Sequence, residues 1–502
     1  MKNNLKVQEI FTLAIERHKA NNLEIAIDLY NKILEIDQNH VGAYHNLGVI
    51  FNNRGDIQKA KDYYEKVIKI DPNHVSAYNN LGSTFQALGD IQKAKDCYEK
   101  AIEINPDYAA AYNNLGNTLQ ALGDIQKAKD CYEKAIEINP DYAEAYNNLG
   151  AAYRNSKLFQ KSINCYEKAI EIIPNYAAAY NNLGNTLQAL GDIQKAKDCY
   201  EKAIEINPDY AEAYNNLGST FSDLSDNQRA KDYYEKAIEI DPNHILSYWN
   251  LHSLASSTNE ALIILKKLYL IDSSHIKTKI IISALEYYEG HYNRFNDLLE
   301  SPLANHPYVR SAKWIFSLPK IPNVFFNRLH FFNAVIALSD KSRPFYEFGV
   351  WSGRSFEHLI KSFKKGFGFD TFTGLPEVWN DEDKGTYSNL GLIPKIDGGE
   401  FIAGKFEDTL PKFFSSKQPL ASLINFDADL YSSTLCALKY SNKVIDDKTI
   451  LIFDEFIMND NWEQDEYKAL NEFCDNLKIS YEVIAVSFFT KQVAVKLKNF
   501  KS

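Results

Sequence analysis

Apolar and small residues recur every 34 positions through the first half of the chain, from residue 7 to residue 244. Leu-Gly follows an opening tyrosine by three positions in six of these units, from Leu47-Gly48 to Leu217-Gly218. A proline closes each unit from Pro72 to Pro242. Small residues let two helices approach closely, and a proline cannot continue a helix. The pattern therefore predicts one pair of antiparallel helices per unit.

This spacing resembles the tetratricopeptide repeat. The resemblance implies a superhelix of stacked helix pairs, because no single pair buries its own apolar face. We expect seven full repeats and a shortened eighth over residues 1–275. The first repeat, residues 7–40, has Ala14 in place of glycine and Gln38 in place of proline, as expected of a solvent-facing end.

An asparagine lies two positions after each opening tyrosine. The members of this ladder are Asn46, Asn80, Asn114, Asn148, Asn182, Asn216 and Asn250. An amide both donates and accepts hydrogen bonds, so it can pair with a peptide bond without reading side chains. The ladder resembles that of O-linked N-acetylglucosamine transferase, where such asparagines hold an extended polypeptide. We predict a concave peptide-binding groove; the alternative is a tolerated polar residue copied during duplication of the repeats.

The pattern changes after the repeats. Residues 276–340 have an irregular helical pattern, which predicts a helical connector ending in a helix over 327–338. From residue 341 onward, short apolar runs alternate with helical segments, which predicts a parallel sheet with helices on both faces. Beyond the run that contains Glu347, the predicted strands are 366–369, 401–404, 422–426, 449–453 and a final antiparallel pair, 483–486 with 492–495.

The segment from Phe345 to Ser355 predicts a strand, a tight turn and the start of a helix. A dinucleotide-binding Gly-x-Gly-x-x-Gly turn is excluded, because Trp351 and Arg354 stand where it needs glycine. The small-residue turn holds Gly349, Ser352 and Gly353, and it suits a cofactor without a pyrophosphate, such as S-adenosylmethionine (SAM). Glu347 is placed to answer the SAM ammonium.

Acidic residues end the following strands. Asp370 comes 21 residues after Gly349, where a carboxylate can accept hydrogen bonds from both ribose hydroxyls. Asp427 and Asp429 follow the next long strand, and Asp454 and Glu455 follow the one after it. Ligands of parallel sheets bind at the carboxyl ends of the strands, so these side chains predict a binding site there.

These segments resemble the macrocin O-methyltransferase-like group of SAM-dependent enzymes, over about residues 345–497. The matching stretches are Glu-Phe-Gly-Val-Trp-Ser-Gly-Arg-Ser, Gly-Phe-Asp-Thr-Phe-Thr-Gly-Leu-Pro-Glu, Asp-Ala-Asp-Leu-Tyr-Ser-Ser-Thr and Phe-Asp-Glu-Phe. The resemblance implies a Rossmann-like class I methyltransferase domain over 341–502. It also implies that Glu347, Gly349 and Gly353 surround the methionine part of SAM, that Asp370 takes the ribose, and that Phe406 and Asp408 lie near the adenine.

The resemblance further implies a divalent cation held by Asp427, Asp454 and Glu455, with Asp429 as general base and a sugar hydroxyl as acceptor. Mg²⁺ suits such oxygen ligands and would lower the pKa of the hydroxyl. This chain departs from the pattern, since Glu455 and Phe456 stand where those enzymes have Asp and Tyr. The alternative is that Asp454 and Glu455 only cap a strand end and meet the cofactor.

Other polar residues have simpler interpretations. His330 and His358 fall in predicted helices, where packing or surface roles are expected. Tyr431, Ser432 and Ser433 either contact the acceptor or begin a helix, with Ser432 as its cap. The acidic run at 381–383 lies within residues 379–400, a predicted lid or solvated loop.

Composition narrows the class of protein. A net charge of −11 argues against nucleic acid or an anionic membrane as the main partner. No apolar run approaches the roughly 18 residues needed to cross a bilayer, and the N-terminus reads as an amphipathic helix, so we expect a cytoplasmic protein. Four of the six cysteines (Cys97, Cys131, Cys165 and Cys199) occupy one repeat position, which predicts structural thiols and not a metal site.

Together these observations predict a SAM-dependent O-methyltransferase acting on a sugar or glycoconjugate hydroxyl. The repeat array would recruit a polypeptide partner or acceptor. The alternative is a protein-interaction scaffold whose methyltransferase-like domain binds SAM without turnover.

Overall fold

The computed structural model describes residues 2–351, 353–374, 391–428 and 430–500, with side chains from residue 6. It divides into an N-terminal unit, Met1–Thr220, and a C-terminal unit, Phe221–Ser502. The division between the two units falls inside the predicted repeat array and before its predicted end at residue 275. Within the described part of the chain, no helix combines the length and the apolar character that spanning a bilayer requires.

The repeats form an all-α superhelix of paired helices. The first helices are α1 (Lys2–Lys19), α3 (Val41–Asn53), α5 (Val75–Ala87), α7 (Ala109–Ala121), α9 (Ala143–Asn155), α11 (Ala177–Ala189) and α13 (Ala211–Asp223). The second helices are α2 (Leu23–Ile36), α4 (Ile57–Ile70), α6 (Ile91–Ile104), α8 (Ile125–Ile138), α10 (Phe159–Ile172), α12 (Ile193–Ile206) and α14 (Asn227–Ile240).

A glycine–tyrosine contact explains why each pair packs closely. A Cβ atom at Gly116 would lie 2.5 Å from Cε1 of Tyr132, and one at Gly184 would lie 2.6 Å from Cε1 of Tyr200. Both tyrosine rings are buried. Because the ring occupies the space that a side chain would need, glycine on the first helix lets these pairs pack closely. The first repeat is an exception, with Ala14 on its first helix and Tyr30 on its second.

Side-chain caps begin several of the helices of the array and the helix that follows it. The carboxylates of Asp56, Asp90, Asp124, Asp192 and Asp226 accept a backbone N–H at the start of the second helix. The Nδ1 atoms of His40, His74 and His244 do the same for first helices. These caps satisfy donors that have no partner inside the helix.

Five helices follow the seventh pair. They are α15 (Ile245–His252), α16 (Thr258–Ile271), α17 (Ile276–Tyr288), α18 (Asn293–Leu299) and α19 (Pro307–Ser317). The first of them has 8 residues where α13 has 13. Buried residues of α16 and α17, such as Leu265 and Ile281, belong to the same apolar core as one face of the sheet described next.

The C-terminal unit contains a mixed sheet of eight strands. They are β1 (Asn323–Phe325), β2 (Phe345–Phe348), β3 (Gly366–Asp370), β4 (Gly399–Ala403), β5 (Leu423–Phe426), β6 (Ile450–Phe453), β7 (Ser480–Ser487) and β8 (Val493–Lys498). Their order across the sheet is β1-β7-β8-β6-β5-β2-β3-β4. Pairing is parallel except along β8, which is antiparallel to β6 and to β7.

Helices cover both faces of the sheet. Helices α20 (Arg328–Ala337) and α21 (Arg354–Ile360) supply Phe332 and Phe356 to the core on one face. The opposite face contacts buried residues of α22 (Phe406–Phe413), α23 (Tyr431–Ser441) and α24 (Glu466–Leu477). Because both faces are buried, the central strands are continuous apolar runs and not alternating ones.

One strand lies inside the predicted helical connector. Residues Asn323–Phe325 pair with β7 at the edge of the sheet, in the register Val324↔Val486. Three residues are too few for a period-2 pattern to show in the sequence. The pairing is decided by β7, about 160 residues further along the chain.

Candidate active site

A row of phenylalanines sets the register of the central strands. Phe369, Phe348, Phe426 and Phe453 are paired in β3, β2, β5 and β6. Neighbouring rings stack with centroids 4.9–5.4 Å apart. Each of these rings immediately precedes a residue of the predicted site. The aligned rings therefore place Asp370, Gly349, Asp427 and Asp454 side by side at the carboxyl edge of the sheet.

The turn after β2 needs glycine at its first position. Gly349 has φ +90°, and a Cβ atom there would lie 1.7 Å from the backbone oxygen of Asp427. Gly353, with φ +83°, stands directly before α21. No side chain fits at Gly349 between the ends of β2 and β5, so the surface of the sheet edge is formed there by backbone atoms. Ser352 lies outside the described residues.

The carboxylate of Asp370 holds this turn in place. Its Oδ2 atom accepts the N–H groups of Val350 and Trp351 at 2.7 and 2.8 Å. Its Oδ1 atom accepts the N–H of Phe372 at 2.6 Å. A carboxylate offers about four acceptor positions, so three backbone bonds leave capacity for one more donor.

Glu347 lies behind the cavity and not on its wall. Its side chain is fully buried, and its Oε1 atom accepts the amide N–H of Asn425 at 2.8 Å. Burial raises the pKa of Glu347 to about 7, against the opposing effects of hydrogen bonds from Ser355 and Asn425 and of the charge on Arg328. Its Oε2 atom is buried without a hydrogen-bond partner among the described atoms.

Arg328 occupies the position between two of the predicted metal ligands. Its guanidinium donates to Asp454, and its Nη1 atom lies 3.8 Å from Oδ2 of Asp427. Gln492 donates to the other oxygen of Asp454. Burial acts to lower the pKa of Arg328, but the carboxylates of Asp454, Asp427 and Glu347 outweigh it and raise that pKa. Nothing in the sequence pattern pointed to this arginine, which is the first residue of α20.

The third predicted ligand has a separate cation. Oε2 of Glu455 lies 2.7 Å from Nζ of Lys491, and burial raises the pKa of Glu455. In the described part of the chain, no three acidic, histidine or cysteine side chains are grouped to hold a metal ion. The structure therefore places Asp427, Asp454 and Glu455 near one another but pairs them with two cationic side chains. This donor set does not fit the Mg²⁺ site that the resemblance implied.

A cavity of about 550 Å³ opens at this edge of the sheet. Gly349, Asp370, Phe406, Asp427, Asp454 and Glu455 all line it, as do Arg328 and Ser433. Asp408 is exposed and is not among the described lining residues. Lys405 and Glu407 of the same segment do line the cavity. Asp429, the predicted base, and residues 375–390 of the predicted lid lie outside the described residues.

The structure places some of the remaining polar residues from the sequence analysis at the cavity and others away from it. His358 lines the cavity and bonds Asn333 at 2.9 Å, whereas His330 lies on α20 and does not line it. Tyr431 and Ser432 are the first two residues of α23, with Leu430 at the cap position. The Tyr431 hydroxyl donates to Glu472.

The cavity has a further wall that the sequence analysis did not anticipate. Its residues belong to the turn between α13 and α14 and to the end of α15: Ser222, Asp223, Ser225, Asn227 and Ser253. All of them fall within the C-terminal unit.

The asparagine ladder of the N-terminal unit connects successive repeats. The Nδ2 atoms of Asn114, Asn148 and Asn182 donate at 3.0 Å to the Oδ1 atom of an asparagine 35 positions earlier. Asn216 does the same at 2.9 Å, and Asn80 lies 3.3 Å from His45. The accepting asparagines Asn79, Asn113, Asn147 and Asn181 are buried. The ladder amides thus form inter-repeat bonds and are not presented only to the groove; Asn46 and Asn250 are half-buried on α3 and α15.

A family model for the tetratricopeptide repeat matches overlapping segments that together cover residues 41–243. This part of the chain is a tetratricopeptide repeat array, a class of scaffold with extended concave surfaces for binding proteins and peptides.

Solved structures with similarity to this chain include MamA, YrrB and pilF. MamA is 31% identical over 34% of this chain and 94% of its own, with a TM-score of 0.30. YrrB, described as a TPR protein with an unusual peptide-binding site, is 24% identical over 37% and 95%, with a TM-score of 0.30. Pseudomonas aeruginosa pilF is 20% identical over 41% and 94%, with a TM-score of 0.37. No curated protein matches the chain.

Proposed function

We propose that the chain is a class I SAM-dependent methyltransferase that methylates a hydroxyl of a sugar or glycoconjugate. On this proposal the sheet and its helices form the Rossmann-like catalytic domain. The repeat array binds a polypeptide that carries or accompanies the acceptor.

The observation that carries the proposal is the glycine turn at the centre of the carboxyl edge. Gly349 lies against the carbonyl of Asp427, and Asp370 of the neighbouring strand accepts two N–H groups of the same turn. This arrangement leaves a cavity floor made of backbone, which lets a cofactor approach closely. The cavity volume is in the range of small-molecule sites, and Val350 and Phe406 give it apolar wall. The residues present therefore fit SAM.

The sheet topology supports the same reading. A parallel sheet that ends in an antiparallel strand is the usual arrangement of class I methyltransferases, and here β8 alone runs antiparallel to its neighbours. The switch in strand order between β5 and β2, where ligands of such sheets bind, lies at Gly349 and Asp427.

Each of these side chains has a role in the proposal. SAM supplies an electrophilic methyl group when bound. Asp370 fixes the turn and retains acceptor capacity for a hydroxyl. Asp427 and Asp429 are the candidates to take the proton from the acceptor oxygen. Arg328 pairs with Asp454, lies near Asp427, and supplies positive charge at the position where a metal was expected.

Binding of SAM is the first test. Isothermal titration of the full chain should show micromolar-range affinity. Gly349→Ala should abolish binding, because its Cβ would push the two strand ends apart. Gly391→Ala is the matched control: Gly391 has a similar φ of +77° but its Cβ would meet no described atom within 4 Å. Asp370→Asn, which weakens the hold on the turn, should reduce the affinity. Intact binding in the Gly349 variant, or none in the wild type, would contradict the proposal.

A second candidate function is a protein-interaction scaffold that binds SAM without turnover. The observation in its favour is that Arg328 pairs with Asp454 and lies near Asp427, so a guanidinium stands beside the carboxylates that an acceptor hydroxyl would have to reach. A methyl-transfer assay with radiolabelled SAM and cell extract separates the two functions. Label that requires Asp427 and Asp429 supports the enzyme; SAM binding without any label supports the scaffold.

A further inference from the structure

The turn of the seventh repeat differs from its sister turns in a particular way. Residues 86–91, 120–125 and 188–193 are all Gln-Ala-Leu-Gly-Asp-Ile, whereas residues 222–227 are Ser-Asp-Leu-Ser-Asp-Asn. The seventh repeat keeps the second-helix cap, Asp226, and the leucine, Leu224. It replaces the other four residues, and every replacement is polar.

The four replaced positions are those that line the cavity. Ser222, Asp223, Ser225 and Asn227 are lining residues, whereas the retained Leu224 and Asp226 are not among them. The fifth-repeat turn, residues 154–159, differs from the three identical turns at all six positions, whereas the seventh differs only at the four positions that line this cavity. The correspondence indicates that this turn was adapted to what the cavity holds.

Two of the replacements work against the fold. Ser225 has φ +63°, whereas the three Gln-Ala-Leu-Gly-Asp-Ile turns have glycine at this position, with φ from +80° to +84°. The fifth repeat has Lys157 there, with φ +56°. A serine in this left-handed region is strained relative to glycine. Asn227 stands where three sister turns have isoleucine, and its Oδ1 atom is buried without a hydrogen-bond partner among the described atoms. Its Nδ2 atom bonds Asn327, another lining residue, at 3.4 Å. Residues that cost stability and lie beside a cavity indicate a ligand whose contacts offset that cost.

The chemistry of the wall selects a class of ligand. Serine hydroxyls and asparagine amides both donate and accept, which matches the hydroxyls of a carbohydrate ring. Ser253 of the eighth repeat adds a further hydroxyl. The described lining holds six carboxylates but only three cationic side chains: Asp223, Asp370, Glu407, Asp427, Asp454 and Glu455 against Arg328, Arg354 and Lys405. This excess of negative charge favours a neutral or amino sugar over a sugar phosphate.

We propose that the turn at residues 222–227 forms one wall of the acceptor site and binds the hydroxyls of a neutral or amino sugar. That this sugar is a methyl acceptor rests on the function proposed above; its binding at the turn does not. The seventh repeat is then both the end of the interaction scaffold and a part of the sugar site.

The experiment restores the sister sequence in the full chain. The variant Ser222→Gln, Asp223→Ala, Ser225→Gly and Asn227→Ile carries a turn that three other repeats already fold with. Binding of methyl glucoside, methyl galactoside, methyl glucosaminide, glucose 1-phosphate and a Gly-Ser-Gly tripeptide is measured by saturation-transfer-difference NMR without SAM. The wild type should bind at least one of the three glycosides, and the restored turn should weaken this binding at least about tenfold. SAM affinity should stay unchanged.

The matched control makes the reciprocal change in the sixth repeat. Gln188→Ser, Ala189→Asp, Gly191→Ser and Ile193→Asn install the polar turn in the N-terminal unit and should leave glycoside binding as in the wild type. Ser225→Gly and Asn227→Ile, tested singly, should each weaken glycoside binding without lowering thermal stability. Equal glycoside binding by the restored and wild-type chains would overturn the proposal. So would no glycoside binding by the wild type, or a preference for the sugar phosphate or the tripeptide. A wild type that binds glycoside but not SAM would refute the methyltransferase and leave the sugar wall standing.

Discussion

Burial governs the chemistry of Glu347. The folded state raises its pKa from 4.5 to about 7, mainly by removing the carboxylate from water. Between these two values the folded state binds more protons than the unfolded state, so the contribution of Glu347 to stability falls as pH rises. This is the reverse of a surface carboxylate in an ion pair, whose contribution is lost on acidification.

The variant Glu347→Gln tests this effect. Glutamine has nearly the same shape and no charge, so the variant should gain stability over the wild type as pH rises from 5 to 8. The gain should approach about 3 kcal/mol, at roughly 1.4 kcal/mol for each pH unit across the shift. Denaturant unfolding of both proteins across this range measures the difference. A difference that does not change with pH would show that Glu347 is ionised in the folded state at pH 5.

Arg328 determines the electrostatics of the cavity at the residue scale. It neutralises Asp454, whose side chain is only 8% exposed, and lies near Asp427. Removing the arginine leaves a buried carboxylate unpaired, which costs free energy. Because the Arg328 side chain is itself 40% exposed, solvent reduces this cost, and we expect about 1–3 kcal/mol for Arg328→Ala.

The same variant tests whether a guanidinium replaces a metal. Thermal unfolding of the wild type should not respond to millimolar Mg²⁺ or to EDTA, because Arg328 and Lys491 already pair the carboxylates. In Arg328→Ala the repulsion between Asp427 and Asp454 is uncompensated, so added Mg²⁺ should restore part of the lost stability. Stabilisation of the wild type by Mg²⁺, reversed by EDTA, would show that a cation displaces the arginine.

At the scale of helices, the asparagine ladder contributes to the stacking of repeats. Asn114, Asn148, Asn182 and Asn216 each donate one N–H to a buried asparagine of the preceding repeat. An amide that donates once still has a second N–H and its oxygen, so a peptide can bind the same side chain. On the proposed function, stability and recruitment therefore depend on the same residues. Loss of the ladder is not neutral to folding, as loss of a purely groove-facing amide would be.

Asn114→Ala measures the structural share of the ladder. It removes the bond to Asn79 and leaves a buried acceptor unpaired, so the unfolding free energy should fall by about 1–3 kcal/mol. Gln126→Ala, an exposed change in the same repeat whose only described bond is to Asp130, should stay within about 0.5 kcal/mol of the wild type. Equal stability of the two variants would show that the inter-repeat bond contributes nothing.

At the scale of the whole molecule, the last repeats belong to the same compact unit as the sheet. The ring of Phe489, beyond the end of β7, lies 6.0 Å from Trp249 and 5.2 Å from His252. Both partners are in α15, and His252 is buried, which lowers its pKa to about 4. Buried residues of α16 share the core beneath the sheet. A sheet domain cut after the repeats would therefore expose apolar surface.

Truncation tests which domain boundary holds, the predicted one at residue 275 or the one after Thr220 in the structure. A fragment of residues 211–502, which begins with α13, should fold cooperatively and, on the proposed function, bind SAM with the same affinity as the full chain. A fragment of residues 276–502, cut at the predicted domain boundary, should be insoluble or lack a cooperative thermal transition, because it loses α15, α16 and one cavity wall. Expression and thermal unfolding of both fragments measure this. A stable shorter fragment with full SAM affinity would show that the last repeats are dispensable to the unit.

Local periodicity in the sequence predicted much of the architecture. The 34-residue period located the helix pairs of the array, since its glycine on the first helix contacts a tyrosine on the second helix of the same repeat. Apolar runs ending in Asp370, Asp427 and Asp454 located strands, because a strand buried on both faces is apolar along its length. The row of acidic strand ends followed from the rule that parallel strands share a carboxyl edge.

Tertiary contacts decided the rest, because the partners are far apart in the chain. Strand β1 exists through β7, and Arg328 reaches Asp454 from 126 positions away. The departures in the seventh-repeat turn are visible in the sequence, but only folding brings that turn to the cavity. The ladder amides were identified from their spacing, yet their bonds to the preceding repeat depend on how neighbouring helices stack. A sequence pattern records which face of an element is buried; it does not record which distant side chain covers it.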